Sequence, residues 1–256
     1  MSIIRGFAKW FIVLVLGRES SPHRILRGLA SGYRICLSPA ENLGYLLGTA
    51  EPHLQRIIRK YVSPGQIVYD IGANIGYVTL SLAKLVGPHG RVFAFEPAPK
   101  NIESLRRTLE ANRLTTVKLL EAAASNTSGD AIIRMTENLS TPSLVWHRKN
   151  PASKELITKT VVIDHLVEAG ESPRPSFVKI DVEGAEGLVL RGMRNTILAA
   201  NPVLFIECSE IGRQISCDLL RESGYRCQSA ITCQWIDTFE DYRHSDFVWL
   251  PPEHAA

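Results

Sequence analysis

The sequence lacks the cysteine spacing that zinc sites and disulfide-rich domains require. Its cysteines are odd in number, five in 256 residues, and none belongs to a Cys-x-x-Cys pair. Such usage is typical of reduced thiols in a core or on a surface, and it disfavours a structural zinc site and a disulfide framework. The pattern therefore favours a cytoplasmic protein. The residues concerned are Cys36, Cys208, Cys217, Cys227 and Cys233.

A dense basic segment is also missing. Lysine and arginine total 29 against 26 acidic residues, which gives a net charge of +3 and a pI near 8.6. Proteins that bind nucleic acid usually concentrate basic residues on one face or along one helix, often interleaved with aromatic residues. We therefore expect no nucleic-acid partner. The mild positive charge is compatible with contact to a weakly anionic surface.

No apolar run is long enough to cross a bilayer. The most apolar segment, residues 7–17, contains Lys9 and is followed by Arg18, so its uninterrupted part is about seven residues where about 20 are needed. Three interpretations stay open: a helix packed on the domain, a helix in peripheral contact with a membrane, and a secretory signal without a small-x-small cleavage site. If the segment contacts a membrane, we expect a lipid-linked substrate.

The sequence does contain an alternation of strand-like and helix-like segments. With 45% hydrophobic residues, a chain of this length can bury a full core. The alternation predicts an α/β fold in which helices cover both faces of a parallel sheet. The predicted core strands cover residues 66–71, 91–96, 117–123, 176–180 and 202–207, and the predicted helices cover 76–86, 99–112 and 185–199.

The flanking segments extend this prediction at both ends. Residues 1–62 are expected to form an accessory unit with strands over 32–37 and 42–47 and a helix over 53–61, ahead of one catalytic domain over 63–256. Further strands are predicted over 130–135, 157–163, 224–230 and 246–250. The polar segment between 135 and 157 is either a substrate-binding lid or a simple surface loop.

A glycine turn follows the first core strand. The segment Asp70-Ile71-Gly72-Ala73-Asn74-Ile75-Gly76 ends that strand in an acid, and Glu96 ends the next strand 20 residues after Gly76. Glycine lets the backbone approach a ligand closely, and an acid at the end of the second strand suits the hydroxyls of a ribose. The spacing departs from the Gly-x-Gly-x-x-Gly pattern that cradles a pyrophosphate. It therefore favours a nucleoside cofactor without pyrophosphate, unless the glycines serve only close packing.

Several motifs in order make the chain resemble a known family. Besides the glycine turn, these are Phe95-Glu96-Pro97, Asn101, the segment 123–129, and Lys179-Ile180-Asp181-Val182-Glu183-Gly184-Ala185-Glu186. Together they resemble the FkbM family of S-adenosylmethionine-dependent methyltransferases over roughly residues 30–210. The sequence differs from the family pattern at Asn126 and His165, where an acid is more usual.

The resemblance implies a fold and a set of cofactor residues. The fold is the Rossmann-like class I methyltransferase fold, with a mostly parallel seven-stranded sheet and an antiparallel last strand. The cofactor is S-adenosylmethionine, with Glu96 as the ribose acid. Asn101 is alternatively a helix-starting residue, because Pro97 and Pro99 precede it. The residues carried over to the cofactor are Asp70, Gly72, Ala73, Asn74, Gly76, Glu96, Pro97, Asn101, Ala122 and Ala123.

Methyl transfer requires alignment of the acceptor and removal of its proton rather than a nucleophilic side chain. Asp181 ends a core strand and is the first candidate for base or orienting group, with Glu183 close behind. Lys179 lies on the same face of the strand as Asp181 and is expected to pair with it, making Asp181 a poorer base. The alternative is that Asp181 and Glu183 only cap the turn and the next helix.

Further polar residues are candidates for contact with the acceptor. Glu207 ends the fifth core strand at the same edge as Asp181, and His147 lies in the polar loop. His147 and His165 are alternative bases, although histidines more often have no catalytic role. Asp181 with Glu207 could also hold a divalent cation, but no Asp-Asn pair follows Asp181, so no metal is predicted.

The sequence is compatible with three functions. The leading one is an O-methyltransferase that acts on a hydroxyl of a sugar, glycolipid or polyketide-type acceptor, either a small molecule, a glycan or a lipid-linked compound. A nicotinamide-dependent oxidoreductase predicts NAD binding, which the missing third glycine disfavours. A non-catalytic module that keeps the fold predicts cofactor binding without methyl transfer.

Overall fold

The structure is a computed structural model that describes residues 21–37, 43–135, 142–143, 154–208, 210–238 and 245–254. The apolar segment 7–17 and His147 lie outside the described residues, so the predictions made for them stay predictions. Within the described residues, no helix combines the length and the apolar character needed to cross a bilayer.

Strands and helices alternate through the described residues. The strands are β1 (Ser21–Arg24), β2 (Arg34–Leu37), β3 (Ile67–Ile71), β4 (Arg91–Phe95), β5 (Val117–Leu120), β6 (Ala123–Ala124), β7 (Gly129–Met135), β8 (Pro142–Ser143), β9 (Lys154–Val161), β10 (Phe177–Ile180), β11 (Val203–Glu207), β12 (Arg226–Ser229), β13 (Trp235–Ile236) and β14 (Asp246–Leu250). The helices are α1 (Leu43–Leu47), α2 (Pro52–Tyr61), α3 (Tyr77–Val86), α4 (Pro99–Ala111), α5 (Ile163–Glu168), α6 (Glu186–Gly192), α7 (Arg194–Ala200) and α8 (Glu210–Glu222), followed by a 3-10 turn over Pro252–His254.

The main sheet joins eight of the described strands in the order β13-β12-β14-β11-β10-β3-β4-β5. The strands from β11 to β5 run parallel, and β14 is antiparallel to both β11 and β12, as predicted for the last strand. The sheet has one strand more than predicted, because the two-residue β13 is too short to give a sequence pattern. Strands β3, β10 and β11 end side by side, which brings Asp70, Asp181 and Glu207 to one edge.

Alternating side chains of these strands bury two separate cores. Tyr69 and Ile180 belong to the core on one face, where helices α5 to α8 pack. Val68 and Phe205 belong to the core on the other face, with residues of α2 and α3. The alternation explains why the strands read as near-continuous apolar runs. Asp70 is paired with Lys179, and Lys179 with Phe205, so all three side chains lie on the face of the sheet that α2 and α3 cover.

A smaller sheet with the strand order β6-β9-β7-β8 stands beside the main one. The single strand predicted over 117–123 is wrong, because β5 ends at Leu120 and residues 123–124 pair instead with β9. The strand predicted over 157–163 ends at Val161, and Ile163 begins α5. Ala122 and Ala123 thereby lie where the two sheets meet.

Two other predicted elements differ from the structure. Residues 43–47 form helix α1 rather than a strand. The helix predicted over 185–199 is two helices that meet at Met193. The start of α7 is held by Asp164, whose carboxylate accepts hydrogen bonds from the backbone N–H groups of Asn195 (3.0 Å) and Thr196 (2.8 Å). A cap supplied from another helix leaves no local sequence signal.

The upstream residues are tied to the rest of the chain by polar contacts. The backbone N–H of Cys36 donates to Thr108 Oγ1 on α4 at 2.9 Å. Gln55 on α2 donates to the backbone oxygen of Ala50 (2.7 Å) and to the hydroxyl of Tyr77 on α3 (3.0 Å). These bonds fix residues 43–61 beside the end of the main sheet. The predicted boundary between 62 and 63 stays a prediction.

Candidate active site

The turn after β3 adopts a backbone that favours glycine. Gly72 and Gly76 have φ angles of +82° and +98°, and Asn74 lies in the left-handed region at +52°. A Cβ on Gly72 would stand 1.9 Å from the carbonyl oxygen of Asp181. A Cβ on Gly76 would stand 2.5 Å from Leu105 Cδ1. Glycine is therefore required at both positions, and the turn lies directly against the end of β10.

The acid after β4 is buried and firmly held. Glu96 is 1% exposed. Its Oε2 accepts a hydrogen bond from the backbone N–H of Asn74 at 2.8 Å. Its Oε1 accepts from the backbone N–H of Ala98 (2.9 Å) and from Asn101 Nδ2 (3.2 Å). Burial raises the pKa of Glu96, and these donors act in the opposite direction. The glycine turn and α4 together fix the position of this carboxylate.

A cavity with about 540 Å³ of atom-free space, part of it open to solvent, lies beside Glu96. Of the predicted cofactor residues, the cavity is lined by Gly72, Asn74, Glu96, Pro97, Ala122 and Ala123. The candidates Asp181 and Glu183 line it as well. Sequence reasoning missed the apolar wall residues Ile71, Phe95, Ala124, Ile133 and Val182.

The other predicted cofactor residues lie behind or beside this cavity. Asn101 is 3% exposed, and its side-chain amide donates a hydrogen bond to Glu96 instead of facing the cavity. Asp70 is fully buried beneath the turn, Gly76 packs on α4, and Ala73 lines a neighbouring cavity. The sequence motif therefore identified the location of the site, but it did not show which motif residues line the cavity. Of the missed wall residues, Phe95 is adjacent to Glu96 in sequence, whereas Ile133 on β7 gave no signal.

Lys179 joins two carboxylates beneath the turn. Its Nζ lies 3.3 Å from Asp70 Oδ1 and 3.3 Å from Asp181 Oδ2, and it donates to the backbone oxygen of Gly72 at 2.7 Å. Burial alone would lower the pKa of Lys179, but the two carboxylates outweigh burial and raise it. The lysine is therefore charged, and the predicted pairing with Asp181 is confirmed. Asp70 is a second partner, also held by Thr79 Oγ1 at 2.6 Å.

A second cavity of about 420 Å³ adjoins the first on the α2–α3 side of the sheet. Its walls include Glu207, Lys179 and the rings of Tyr45 and Tyr77, which stack with centroids 4.6 Å apart. Gly72, Asn74 and Asp181 line both cavities. A compound in the second cavity would therefore meet the contents of the first at Asp181.

The remaining candidates have other positions. Glu183 has a left-handed φ of +50° and is exposed. The cap of the turn is Glu186, whose Oε1 accepts from the backbone N–H of Gly184 at 2.6 Å. His165 is exposed on α5 and lines neither cavity. Within the described residues, no three His, Cys, Asp or Glu side chains form a group that could hold a metal ion.

The sheet order, the glycine turn after β3 and the acid after β4 define the Rossmann-like fold of class I S-adenosylmethionine-dependent methyltransferases. The Methyltransferase FkbM domain matches residues 70–227. The hexuronic acid methyltransferase AglP of Haloferax volcanii is 30% identical over 209 residues, which cover 80% of this chain and 82% of AglP. The chain therefore belongs to the FkbM methyltransferase family, as its motifs indicated.

Two other matches have lower coverage or lower identity. Methyltransferase sdnD of Sordaria araneosa is 30% identical over 155 residues, covering 49% of this chain and 60% of sdnD. The crystal structure of the FkbM methyltransferase of Methylobacillus flagellatus has a TM-score of 0.49 and 18% identity, and the match covers 82% of this chain and 53% of that one. Membership of the FkbM family makes the protein an S-adenosylmethionine-dependent methyltransferase.

The first cavity fits S-adenosylmethionine in its chemistry. Glu96 presents a carboxylate of the kind that accepts hydrogen bonds from ribose hydroxyls, and the wall made by Phe95, Ala122 and Ile133 is apolar, as an adenine ring requires. Asp181 and Glu183 line the same cavity and would place carboxylates near the positively charged sulfur. When bound, the cofactor supplies a methyl group for transfer.

Replacing Glu96 with glutamine is expected to weaken the binding of S-adenosylmethionine about 10- to 100-fold. The amide places a donor against a backbone N–H and removes the charge, a loss of roughly 1.5–3 kcal/mol. Titration calorimetry with S-adenosylmethionine and its demethylated product measures the change. Glu103→Gln, at an exposed position on α4, is the control and should bind as the wild type does. Equal affinities for the two variants would contradict the assignment of Glu96.

Proposed function

We propose that the protein transfers a methyl group from S-adenosylmethionine to a hydroxyl oxygen of a sugar, glycolipid or polyketide-type acceptor. The observation that carries the proposal is the second cavity, which shares Asp181 with the cofactor cavity. An acceptor hydroxyl placed there lies beside the methyl donor without passing through the protein. Such juxtaposition is what in-line displacement requires.

The lining of the second cavity supports a polyhydroxy acceptor. A carboxylate accepts hydrogen bonds only, so Asp181 suits groups that donate, as hydroxyls do. The ring of Tyr45 offers an aromatic surface to the apolar face of a sugar or polyketide ring. The relative AglP is named for a sugar acid, which agrees with an acceptor of this kind.

We assign roles to the predicted catalytic residues as follows. The acceptor oxygen forms a bond to the methyl carbon, the carbon–sulfur bond breaks, and its electron pair stays on sulfur. Asp181 orients the attacking hydroxyl, and Lys179 holds Asp181 in place. Glu183 adds negative charge at the wall of the cofactor cavity. Glu207 and, on sequence grounds alone, His147 contact the acceptor.

The proposal extends to location. The sequence favours a cytoplasmic enzyme, and residues 7–17 would bring it to a membrane surface if the acceptor is lipid-linked. Sedimentation with anionic vesicles tests this point, because a variant lacking residues 1–17 should then stay in the supernatant.

Transfer of labelled methyl groups tests the activity. The enzyme is incubated with methyl-labelled S-adenosylmethionine and separate lipid, glycan and small-molecule fractions, and each labelled product is then treated with mild alkali. A methyl ether on a hydroxyl survives the treatment, whereas a methyl ester on a carboxylate is hydrolysed. We expect alkali-stable label that depends on Asp181, since Asp181→Asn removes the orienting charge. Alkali-labile label would refute hydroxyl transfer, and cofactor binding without label in any fraction would favour the non-catalytic module.

A further inference from the structure

Three acidic residues occupy neighbouring positions on β14, on β11 and directly after the end of β10. Glu207 on β11 is directly opposite Asp246 on β14. On its other side, β11 pairs with β10 so that Ile206 is opposite Ile180. The residues that follow these two are Glu207 and Asp181, and continuing the register places them side by side. Adjacent strands lie about 4.8 Å apart, and residues in register point to the same face. Glu207 is therefore the middle of a row of three carboxylates.

The outer two members of this row have partners of their own. Asp181 Oδ2 lies 3.3 Å from Lys179 Nζ, and Asp246 Oδ1 accepts a hydrogen bond from Ser245 Oγ at 2.8 Å. Lys179 Nζ forms ion pairs with Asp70 and Asp181 and donates a hydrogen bond to the backbone oxygen of Gly72. The middle carboxylate instead lines the second cavity.

We propose that Glu207 is the residue that takes the proton from the acceptor hydroxyl. This inference rests on the proposed function and assigns separate roles to two acidic residues. Asp181, fixed by Lys179, orients the hydroxyl, and Glu207 accepts its proton as the oxygen forms its bond to the methyl carbon. The electron pair of the broken carbon–sulfur bond stays on sulfur, so charge and protons balance with Glu207 ending as a neutral acid.

The electrostatic surroundings of Glu207 suit this role. Partial burial, as the larger cause, and the negative charge of the surrounding carboxylates together raise the pKa of Glu207 to about 8. A base whose pKa lies near the working pH combines a useful fraction of the charged form with a real affinity for the proton. The groups that face it are Asp181 beyond β10, Asp246 on β14, Glu51 before α2 and Glu183 in the turn, with Lys179 and Tyr45 on the same cavity wall.

The sign of the pH dependence follows from this value. Below a pH of about 8, Glu207 holds a proton and cannot take another, so transfer should rise as the pH rises through about 8. Because the pKa of Glu207 is higher in the folded than in the unfolded chain, the folded state binds more protons between the two values. This residue therefore makes the wild type lose stability as the pH rises through that interval, and Glu207→Gln should remove that component.

The experiment compares the wild-type enzyme with Glu207→Gln, Glu207→Asp and Asp246→Asn. In a carbon-13 NMR titration of labelled glutamate carboxyls, the wild type should show one resonance titrating near pH 8. Glu207→Gln should lack it, and Asp246→Asn, with one negative neighbour fewer, should shift it to lower pH. Calorimetry should give unchanged S-adenosylmethionine binding in each variant, because Glu207 does not line the cofactor cavity.

Methyl transfer to the hydroxyl fraction gives the second readout. Glu207→Gln should lower the rate at pH 8 by at least about 100-fold, whereas Glu207→Asp, which keeps a carboxylate, should recover part of it. Asp246→Asn should move the rising limb of the pH profile to lower pH. A Glu207→Gln enzyme with the wild-type rate and pH profile overturns the role, as does a wild type without a carboxyl titrating near pH 8. If Glu207→Gln does not fold, the Glu207→Asp and Asp246→Asn profiles decide. A wild type that labels no hydroxyl refutes the proposed function instead.

Discussion

Replacing Lys179 with methionine is expected to lower the free energy of unfolding by about 3–5 kcal/mol. Methionine fills a similar volume but leaves the buried carboxylate of Asp70 and the partly buried one of Asp181 without their shared counter-charge. Guanidinium denaturation at pH 7, followed by circular dichroism, measures the loss.

The control for this variant is Lys159→Met. Lys159 Nζ lies 2.6 Å from Asp130 Oδ1, a shorter ion pair than either one made by Lys179, but both of its side chains are more than half exposed. Exposed ion pairs contribute about 0–1 kcal/mol, so this variant should unfold at nearly the wild-type denaturant concentration. If the two variants lost equal stability, burial would not be what makes the Lys179 network important.

Gly72→Ala is expected to impair both stability and cofactor binding. An alanine there must adopt a left-handed φ, which costs about 1–2 kcal/mol, and its Cβ would stand 1.9 Å from the carbonyl oxygen of Asp181. Relief of that collision requires a backbone shift that costs roughly another 1–3 kcal/mol. The shift separates the turn from β10, so S-adenosylmethionine affinity should fall at least about tenfold.

Gly65→Ala provides a matched control for the backbone. Gly65 has a φ of +83°, almost the +82° of Gly72, but a Cβ there would meet nothing within 4 Å. This variant should lose only the cost of the left-handed backbone and bind the cofactor normally. Denaturation and calorimetry on both variants isolate the collision with Asp181. Equal losses would mean that φ alone, and not the contact with β10, requires glycine at position 72.

The parallel core of the fold was predictable because its signals are local. Each core strand is a short apolar run bounded by a turn, and β14 was predicted over the residues at which it is found, 246–250. These runs are almost entirely apolar because the sheet is buried on both faces and alternate side chains enter different cores. The motif order around Asp70, Glu96 and Asp181 then fixed the family.

Predictions failed where distant residues determine the local structure. The helix start at Arg194 depends on Asp164, some 30 residues earlier, and the short strand β6 exists because β9 pairs with it. Residues 43–47 contain too few turns of a helix for a period to appear. Helix α1 is nonetheless held there, with Leu46 in a core shared with α3.

The site residues show the same difference between local signals, which the sequence displays, and contacts between distant segments, which it does not. The spacing of Lys179 and Asp181 predicted their pairing, because alternate residues of a strand share a face. The third member, Asp70, was assigned to the cofactor, since its neighbours in the motif do line that cavity. Its burial under the turn and its contact with Lys179 are properties of two strands in register, β3 and β10, which the sequence does not display. The wall contributed by Ile133 depends likewise on the placement of the second sheet.

Gly72, Asn74 and Asp181 line both cavities. A substitution at one of them would disturb the methyl donor and the acceptor together, so these positions should have little freedom to vary as the acceptor changes. Tyr45, Glu51 and Leu54 form the far wall of the second cavity and precede the matched family domain at 70–227. We expect divergence among relatives to concentrate there. Exchanging residues 43–61 between two enzymes would then exchange acceptor preference while the methyl donor stays the same.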